Sequence, residues 1–487
     1  MARKIITPEE TEKQSYYMQC VRDLNSGKKE KPIACVKTFG CQMNEHDSEK
    51  LAGMAERMGY EIVPDEVAGK YEGRPCDLVI LNTCCVRENA EEKIFGHIGA
   101  LKGAKHEYPG LLTVVCGCMT EQKHISDEIN QKFRNVDILF GTHDLYRLPE
   151  FIYTALIDGR RVSIPANSGD EVAEGLPIKR DSSFKAWVTI MYGCNNFCTY
   201  CVVPYVRGRE RSRKKDDILH EIDELANAGV REITLLGQNV NSYGKDIKED
   251  GAPNFAGLLS EICEKIKGSS IKRVRFMTSH PKDLSDELID VMARCPEICA
   301  QLHLPVQSGS TEILGRMNRR YTKEQYIELV DRIRAKIPDI ALSTDIITGF
   351  PGETEEDFSH TLDLVKRVEY DAAFTFIYSP RVGTPAAEYE DQVPSEVVHE
   401  RFNRLLDAQN KVCRAHNEAC VGKTLEVLCE GVSRTNDARL TGRTESNKIV
   451  NFTAENISAD DAAGRFVKVY IENAQTWSLE GRAVEWE

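Results

Sequence analysis

The chain has 487 residues, and 63 Lys+Arg against 77 Asp+Glu leave a formal net charge of −14. A composition that is 41% hydrophobic and 29% charged excludes wholesale disorder. The acidic balance excludes a protein that coats nucleic acid indiscriminately, and no apolar run reaches the roughly 18 residues of a membrane span.

In chain order, residues 1–31 read as a polar extension, helical over 9–24, with no apolar core of a secretion signal; a cytoplasmic address is the expectation. From residue 32 the pattern changes. Short apolar runs at 33–38, 77–81, 111–115 and 136–140 predict strands, and the amphipathic stretches 46–58, 87–101 and 120–133 predict helices between them. Such alternation implies a parallel sheet covered by helices. This first domain is assigned to 32–148, and 149–179 reads as a linker.

A second alternating series fills 180–411. Strands are expected at 186–191, 232–236, 274–277, 300–305, 341–347 and 372–378, with helices at 216–228, 255–265, 323–337 and 355–368. Six strand–helix units are two short of an eightfold barrel, so a partial (βα)6 barrel is expected. A long helix over 395–418 closes it. From Lys423 the helical period gives way to five short strands with turn residues between them, a small β-barrel, and the terminal domain is assigned to 413–485. The fold class is therefore α/β multidomain: an open parallel α/β sheet, a partial barrel and a terminal β-module.

Seventeen cysteines are too unevenly spaced for a secreted disulfide scaffold. Cys194, Cys198 and Cys201 follow the first barrel strand in the spacing C-x3-C-x2-C. Three thiolates in one loop can each hold one iron of a four-iron, four-sulfur cluster and leave the fourth open to a ligand. Structural zinc prefers four closed ligands. Cys41, Cys84 and Cys118 follow the strands ending at 38, 81 and 115. All three sit beyond the carboxyl end of a strand, where open α/β sheets bind their ligands. A second cluster is the functional reading. The residues alone do not choose Cys84 over Cys85, or Cys118 over Cys116.

Two further features suggest ligands. Gly349 and Gly352, between a strand and a helix, would let a backbone approach a nucleoside closely. The run Arg207, Arg209, Arg211, Arg213, Lys214, Lys215 directly after the cluster loop could neutralise RNA phosphates.

The C-x3-C-x2-C loop, with Tyr200 before its last cysteine, resembles the radical S-adenosylmethionine signature, and that resemblance puts Tyr200 near the adenine of S-adenosylmethionine. Taken with Thr38-Phe-Gly-Cys41-Gln-Met-Asn44, Asn82-Thr-Cys84, Val86-Arg87, Gly117-Cys118, Leu236-Gly-Gln-Asn-Val-Asn241, His303-Leu-Pro-Val-Gln-Ser-Gly-Ser310 and Gly349-Phe-Pro-Gly352, the chain from residue 32 onward resembles the methylthiotransferase family. The resemblance implies that Cys41, Cys84 and Cys118 hold an auxiliary 4Fe-4S cluster and that Cys194, Cys198 and Cys201 hold the radical one. It makes the C-terminal module a TRAM domain, an RNA binder with Arg434 and Arg443 as candidate contacts. The reaction it implies is radical insertion of a methylthio group at carbon 2 of N6-isopentenyladenosine at position 37 of tRNA. Two S-adenosylmethionine molecules would be used, one as methyl donor and one cleaved to a 5′-deoxyadenosyl radical. The expected partners are the tRNA anticodon stem-loop, a reductant protein and a sulfur donor, with no membrane. Within the family the alternative substrate is threonylcarbamoyl-adenosine. Outside it, the alternative is a non-catalytic zinc-stabilised RNA-binding protein.

Overall fold

In the computed structural model, residues 4–85, 88–166, 169, 171–247 and 251–487 are described. Val86 and Arg87, part of the motif after Cys84, lie outside them. The chain forms two compact units, Met1–Asp181 with Met191–Asn195 and Val202–Arg213, and Ser182–Ile190 with Asn196–Cys201 and Lys214–Glu487.

The first unit is built on a six-stranded parallel sheet. Its spatial order is Glu61–Val63, Ile33–Thr38, Leu78–Thr83, Leu112–Gly117, Ile138–Leu139, Val162–Ser163. Alternate residues of these strands supply two separate cores, as the two-residue strand period requires. Ala34, Leu78, Ile80, Val114 and Ile138 pack with Leu51, Met54, Phe151 and Ile152 on one face. Ile33, Cys35, Val79, Leu81, Val115 and Leu139 pack with Ile94, Ile98, Leu101 and Ile129 on the other. After Ile33–Thr38 the chain goes first to one neighbour and then to the opposite one, so the topological switch lies between Ile33–Thr38 and Leu78–Thr83. Open α/β sheets place their ligand crevice at such a switch, beyond the strand ends.

The segments expected as extension and linker are built into this unit. The helix Pro8–Ser26, capped by Thr7 accepting from the Glu10 amide, lies against the helix Leu148–Asp158. Val21 is fully buried in the sheet's core, and the Gln14 amide reaches Glu150 at 3.2 Å. Lys4–Ile5 pairs with Glu171–Val172 from the expected linker. Few apolar side chains on a polar helix suffice for docking, which is why composition made this segment look peripheral.

In the second unit, six parallel strands run in sequence order as two three-stranded sheets. One holds Lys185–Thr189, Glu232–Leu236 and Arg273–Phe276; the other holds Gln301–His303, Ala341–Thr348 and Ala372–Ile377. A parallel bridge from Val274 to Ile298 joins them. The result is the partial barrel expected. The helix Ser395–Glu418 packs on the last strand, with the Gln409 side chain donating to the Tyr370 carbonyl at 2.8 Å. The remaining strands close into a five-stranded barrel in the order Thr424–Ser433, Asn436–Thr444, Ile449–Thr453, Ser478–Trp486, Phe466–Ala474, filled by Val427, Val450, Phe452, Val467, Val469 and Leu479. Arg273 and Arg275, buried at the start of a barrel strand, tie this module down. Arg273 donates to the Arg443 carbonyl at 2.9 Å, and Arg275 to the carbonyls of Thr444 and Glu445 at 2.8 and 2.7 Å.

Candidate metal centres

The first centre lies at the switch of the parallel sheet. Cys41 precedes the helix Gln42–Arg57, Cys84 follows Leu78–Thr83, and Cys118 follows Leu112–Gly117. Gly117 has φ +103°, and a Cβ there would stand 2.4 Å from the Thr83 carbonyl oxygen. Only glycine lets the chain turn so tightly that the Cys118 amide bonds that same carbonyl at 2.9 Å. Asn44 fixes the strand ends laterally. Its amide nitrogen donates to Asn82 Oδ1 and the Thr83 carbonyl at 3.2 and 2.9 Å, and its oxygen accepts from Cys41 Sγ at 3.4 Å.

Arg207 is the electrostatic centre of this site. It is only 4% exposed. Its Nε donates to Cys118 Sγ at 3.1 Å, while Nη2 donates to Asp47 at 2.9 Å and Asn44 Oδ1 at 3.3 Å. A buried guanidinium held by a buried carboxylate favours nearby thiolates. The Cys41 thiol is lowered to about 5, first by a hydrogen bond from Cys84 and then by Arg207. Cys118 is lowered by its bond with Cys85 and by Arg207. Thiolates are the form that binds metal.

Of the two pairs left open by the sequence, Cys116 and Cys118 part here, while Cys84 and Cys85 each bond a neighbouring thiol, Cys41 and Cys118 respectively. Cys116 points into the core beneath Leu78, Ile80 and Val114, and burial raises its thiol pKa. Cys85 packs beside Cys118, Val202 and Val206.

The second centre is the loop after the first barrel strand. Cys194 goes with the first unit, where its amide bonds the Gly208 carbonyl at 3.1 Å. Cys198 and Cys201 go with the second unit. There the Cys201 amide bonds the Cys198 carbonyl at 2.9 Å, and Thr199 Oγ1 bonds the Arg316 carbonyl at 2.9 Å. Asn318 donates to the carbonyls of Asn196 and Phe197 at 3.2 and 3.0 Å. Arg319, 5% exposed, donates from Nη1 to Cys198 Sγ at 3.4 Å and from Nη2 to the Pro305 carbonyl at 2.8 Å. Tyr200 packs with Ile313, Met317, Phe350 and Ala386, and burial raises its phenol well above its ordinary value.

Among the described residues, no three His, Cys, Asp or Glu side chains are grouped as they would be round one metal ion. A four-iron cluster takes one thiolate per iron and asks for a wider spread. Three cysteines at neighbouring strand ends beside a buried guanidinium fit such a cluster. Within the second unit, Cys198 and Cys201 offer two thiols of the same kind, the first against a buried guanidinium.

Three further expectations meet surroundings that the sequence did not show. Arg207, Arg211 and Arg213 are buried, so they are not a solvated phosphate-binding run. Arg211 donates to the Gly169 carbonyl at 2.9 Å and Arg213 to Glu174 at 2.7 Å; Arg209 is exposed. Gly349 and Gly352 have φ +77° and +81°, but side chains there would meet Val398 and the Arg316–Asp391 pair, each at 2.5 to 2.6 Å. Packing within the unit is by itself enough to require glycine at both positions. Arg443 is held by Asn447 at 3.2 Å and faces Glu430 at 3.5 Å, whereas Arg434 is exposed. Sequence reasoning missed Arg319, Asn44 and Asp47. Asn44 and Asp47 had a usable signal, three and six residues after Cys41 on one helix; Arg319 had none.

Comparison with known proteins gives three family matches: the radical SAM superfamily over residues 188–365, the uncharacterized protein family UPF0004 over 34–141, and the TRAM domain over 418–484. The tRNA-2-methylthio-N(6)-dimethylallyladenosine synthase of Acetivibrio thermocellus is 54% identical over 98% of this chain and 97% of its own. That of Clostridium botulinum is 55% identical over 92% and 95%. Among solved structures, the radical S-adenosylmethionine methyltransferase TsrM from Kitasatospora setae matches with a TM-score of 0.53 at 17% identity. It covers 74% of this chain and 77% of that one, a likeness of fold.

Proposed function

Because the chain belongs to the tRNA-2-methylthio-N(6)-dimethylallyladenosine synthase family, we propose that it inserts a methylthio group at carbon 2 of N6-isopentenyladenosine at position 37 of tRNA. The observation that carries this is identity above one half across nearly the whole chain, joined to two separate three-cysteine sets. Cys41, Cys84 and Cys118 would hold one 4Fe-4S cluster, and Cys194, Cys198 and Cys201 the other. When bound, these clusters and S-adenosylmethionine supply the sulfur-bearing centre, the methyl group and the hydrogen-abstracting species that an unactivated aromatic C–H requires.

The protein's own residues supply position and charge. Asp47 fixes Arg207, and Arg207, together with Cys85, lowers the Cys118 thiol toward the thiolate form that ligates metal. Asn44 orients the Cys41 sulfur. Arg319 places a second buried cation on Cys198. Tyr200 and its apolar neighbours exclude water behind the radical-site loop, protecting a reactive species from quenching. Replacing C–H by C–S–CH3 also requires a reductant and a sulfur donor, both proposed here as partners. With tRNA as substrate, the working compartment is the cytoplasm; no helix among the described residues is long and apolar enough to cross a membrane.

The test is iron and acid-labile sulfide after anaerobic reconstitution. Wild type should carry about eight irons and the Cys194→Ala/Cys198→Ala/Cys201→Ala variant about four. The wild type should methylthiolate isopentenylated tRNA and leave tRNA with unmodified adenosine untouched. About four irons in wild type and none in the variant would overturn the two-cluster reading.

A further inference from the structure

An acidic chain that handles RNA must present positive charge somewhere. The run after the radical-site loop is largely spent inside the first unit, on Asp47, Glu174 and backbone carbonyls. The second unit offers another place. An open pocket of about 290 Å³ there is lined by Lys282, Arg320 and Arg332 over a floor that includes Leu284, Tyr321 and Leu329, with no carboxylate among its lining residues. All three cations are exposed.

The pocket shares a wall with the Asn196–Cys201 half of the radical-site loop. Lys282 Nζ bonds Asn196 Oδ1. Arg320 Nε bonds Asn318 Oδ1 at 3.4 Å, and the Asn318 amide holds the Asn196 and Phe197 carbonyls. Asn318 and Arg320 both have left-handed backbones, with φ +59° and +58°. Non-glycine residues adopt that conformation at a cost. Its effect here is that consecutive arginines part company: Arg319 turns inward to Cys198, and Arg320 turns outward to the pocket. The nearby acids are weak competitors. Asp283 bonds Lys245 at 2.5 Å and stands 3.8 Å from Lys282, and exposed Asp286 lies 3.6 Å from Arg332. The Asp286–Arg332 pair is solvated and yields readily to a stronger anion, whereas Asp283 is buried and already engaged by Lys245 and Asn239. The surrounding field is positive: buried His280 is held down at about 2 by desolvation, then by Arg319, Lys282, Lys245 and Arg320.

We propose that Lys282, Arg320 and Arg332 form a binding pocket for a backbone phosphate of the RNA substrate, anchoring the strand beside the radical-site loop. The proposal rests on the function given above. A phosphodiester fits the chemistry, with three donors of positive charge round an opening and an apolar floor for the attached ribose.

The test is equilibrium binding of isopentenylated tRNA to reconstituted holoenzyme between 50 and 200 mM salt. Each lost phosphate contact should reduce the slope of log K against log salt by about 0.7 to 0.9. Arg332→Gln should weaken binding and reduce the slope, and Arg320→Gln/Arg332→Gln should bring the reduction to at most the one increment that a single phosphate supplies. KM for tRNA should rise in both with kcat unchanged, because the contact serves ground state and transition state alike. Cleavage of S-adenosylmethionine without RNA should be unchanged in Arg332→Gln, whose side chain pairs with Asp286 rather than with the radical-site loop. Should the double variant lose iron on purification, Arg332→Gln alone decides, since that side chain stands on an exposed helix face. Wild-type slope and KM in Arg332→Gln and the double variant would overturn the proposal. Competition by inorganic phosphate with no effect of the variants on tRNA would assign the pocket to free phosphate and overturn it equally. A wild type that binds no tRNA at any salt would remove the parent function, and this inference with it.

Discussion

At the scale of single residues, Arg207 changes identity between sequence and structure. Along the chain it opens a basic run. In space its partners are Cys118, 89 positions away, and Asp47, 160 positions away. A linear charge run carries no information about burial, and a counterion that distant leaves no local trace. The cysteines were more legible because each follows a predicted strand, which fixes its end of the sheet. Alternation does not separate Cys118 from Cys116, because residues two apart on a strand share a face; what parts them is the left-handed turn at Gly117, φ +103°, which ends the strand between them. A buried cation donating N–H to a ligating sulfur favours the more negative, reduced state of an iron–sulfur centre. Arg207→Gln should therefore lower the reduction potential of the N-terminal cluster. The expected shift is about tenfold in the one-electron equilibrium, about 59 mV, read by EPR-monitored titration in the Cys194→Ala/Cys198→Ala/Cys201→Ala background. An unchanged potential would reduce Arg207 to a packing role.

Among the elements, those with strong periodicity stand where expected, and the six barrel strands were all legible as apolar runs. The helix Pro8–Ser26 was visible as a helix but not as part of the domain. Only Gln14, Val21 and Asn25 along it are buried, and Asn25 is engaged by its amide donating to the Met58 carbonyl at 2.9 Å. A polar anchor of that kind has no hydropathy signature. Short pairings such as Lys4–Ile5 with Glu171–Val172 have none either, because two residues are too few to show alternation. Deleting residues 1–31 should uncover the apolar surface under Val21 and cost several kcal/mol, about 1.5–3 for each large apolar side chain newly exposed. Thermal unfolding followed by far-UV circular dichroism should show an earlier first transition in the truncated chain. Coincident melting curves would mean the helix is dispensable.

At the scale of the whole molecule, the order of domains was readable from composition and period, whereas the stitching between distant segments was not. Acid stability is one property that follows from that stitching. His143 is 7% exposed, and burial with Arg211 and Arg207 nearby lowers it to about 4. The unfolded chain, with an ordinary value near 6.5, binds the proton more readily. Stability is thus lost as pH falls from about 6.5 toward 4, by about 2 kcal/mol at pH 5. His143→Gln should lose correspondingly less between pH 7 and pH 5 in urea denaturation; equal losses would place the acid sensitivity elsewhere. The clasp made by Arg273 and Arg275 has a different kind of consequence. Both arginines grip main-chain carbonyls of Arg443, Thr444 and Glu445, and every residue type offers a carbonyl. That part of the joint, written in backbone atoms, is indifferent to spelling, so positions 443 and 444 can drift without loosening it, whereas Glu426, Glu430 and Lys448 are spelled out by their ion pairs with Arg273, Lys185 and Asp371.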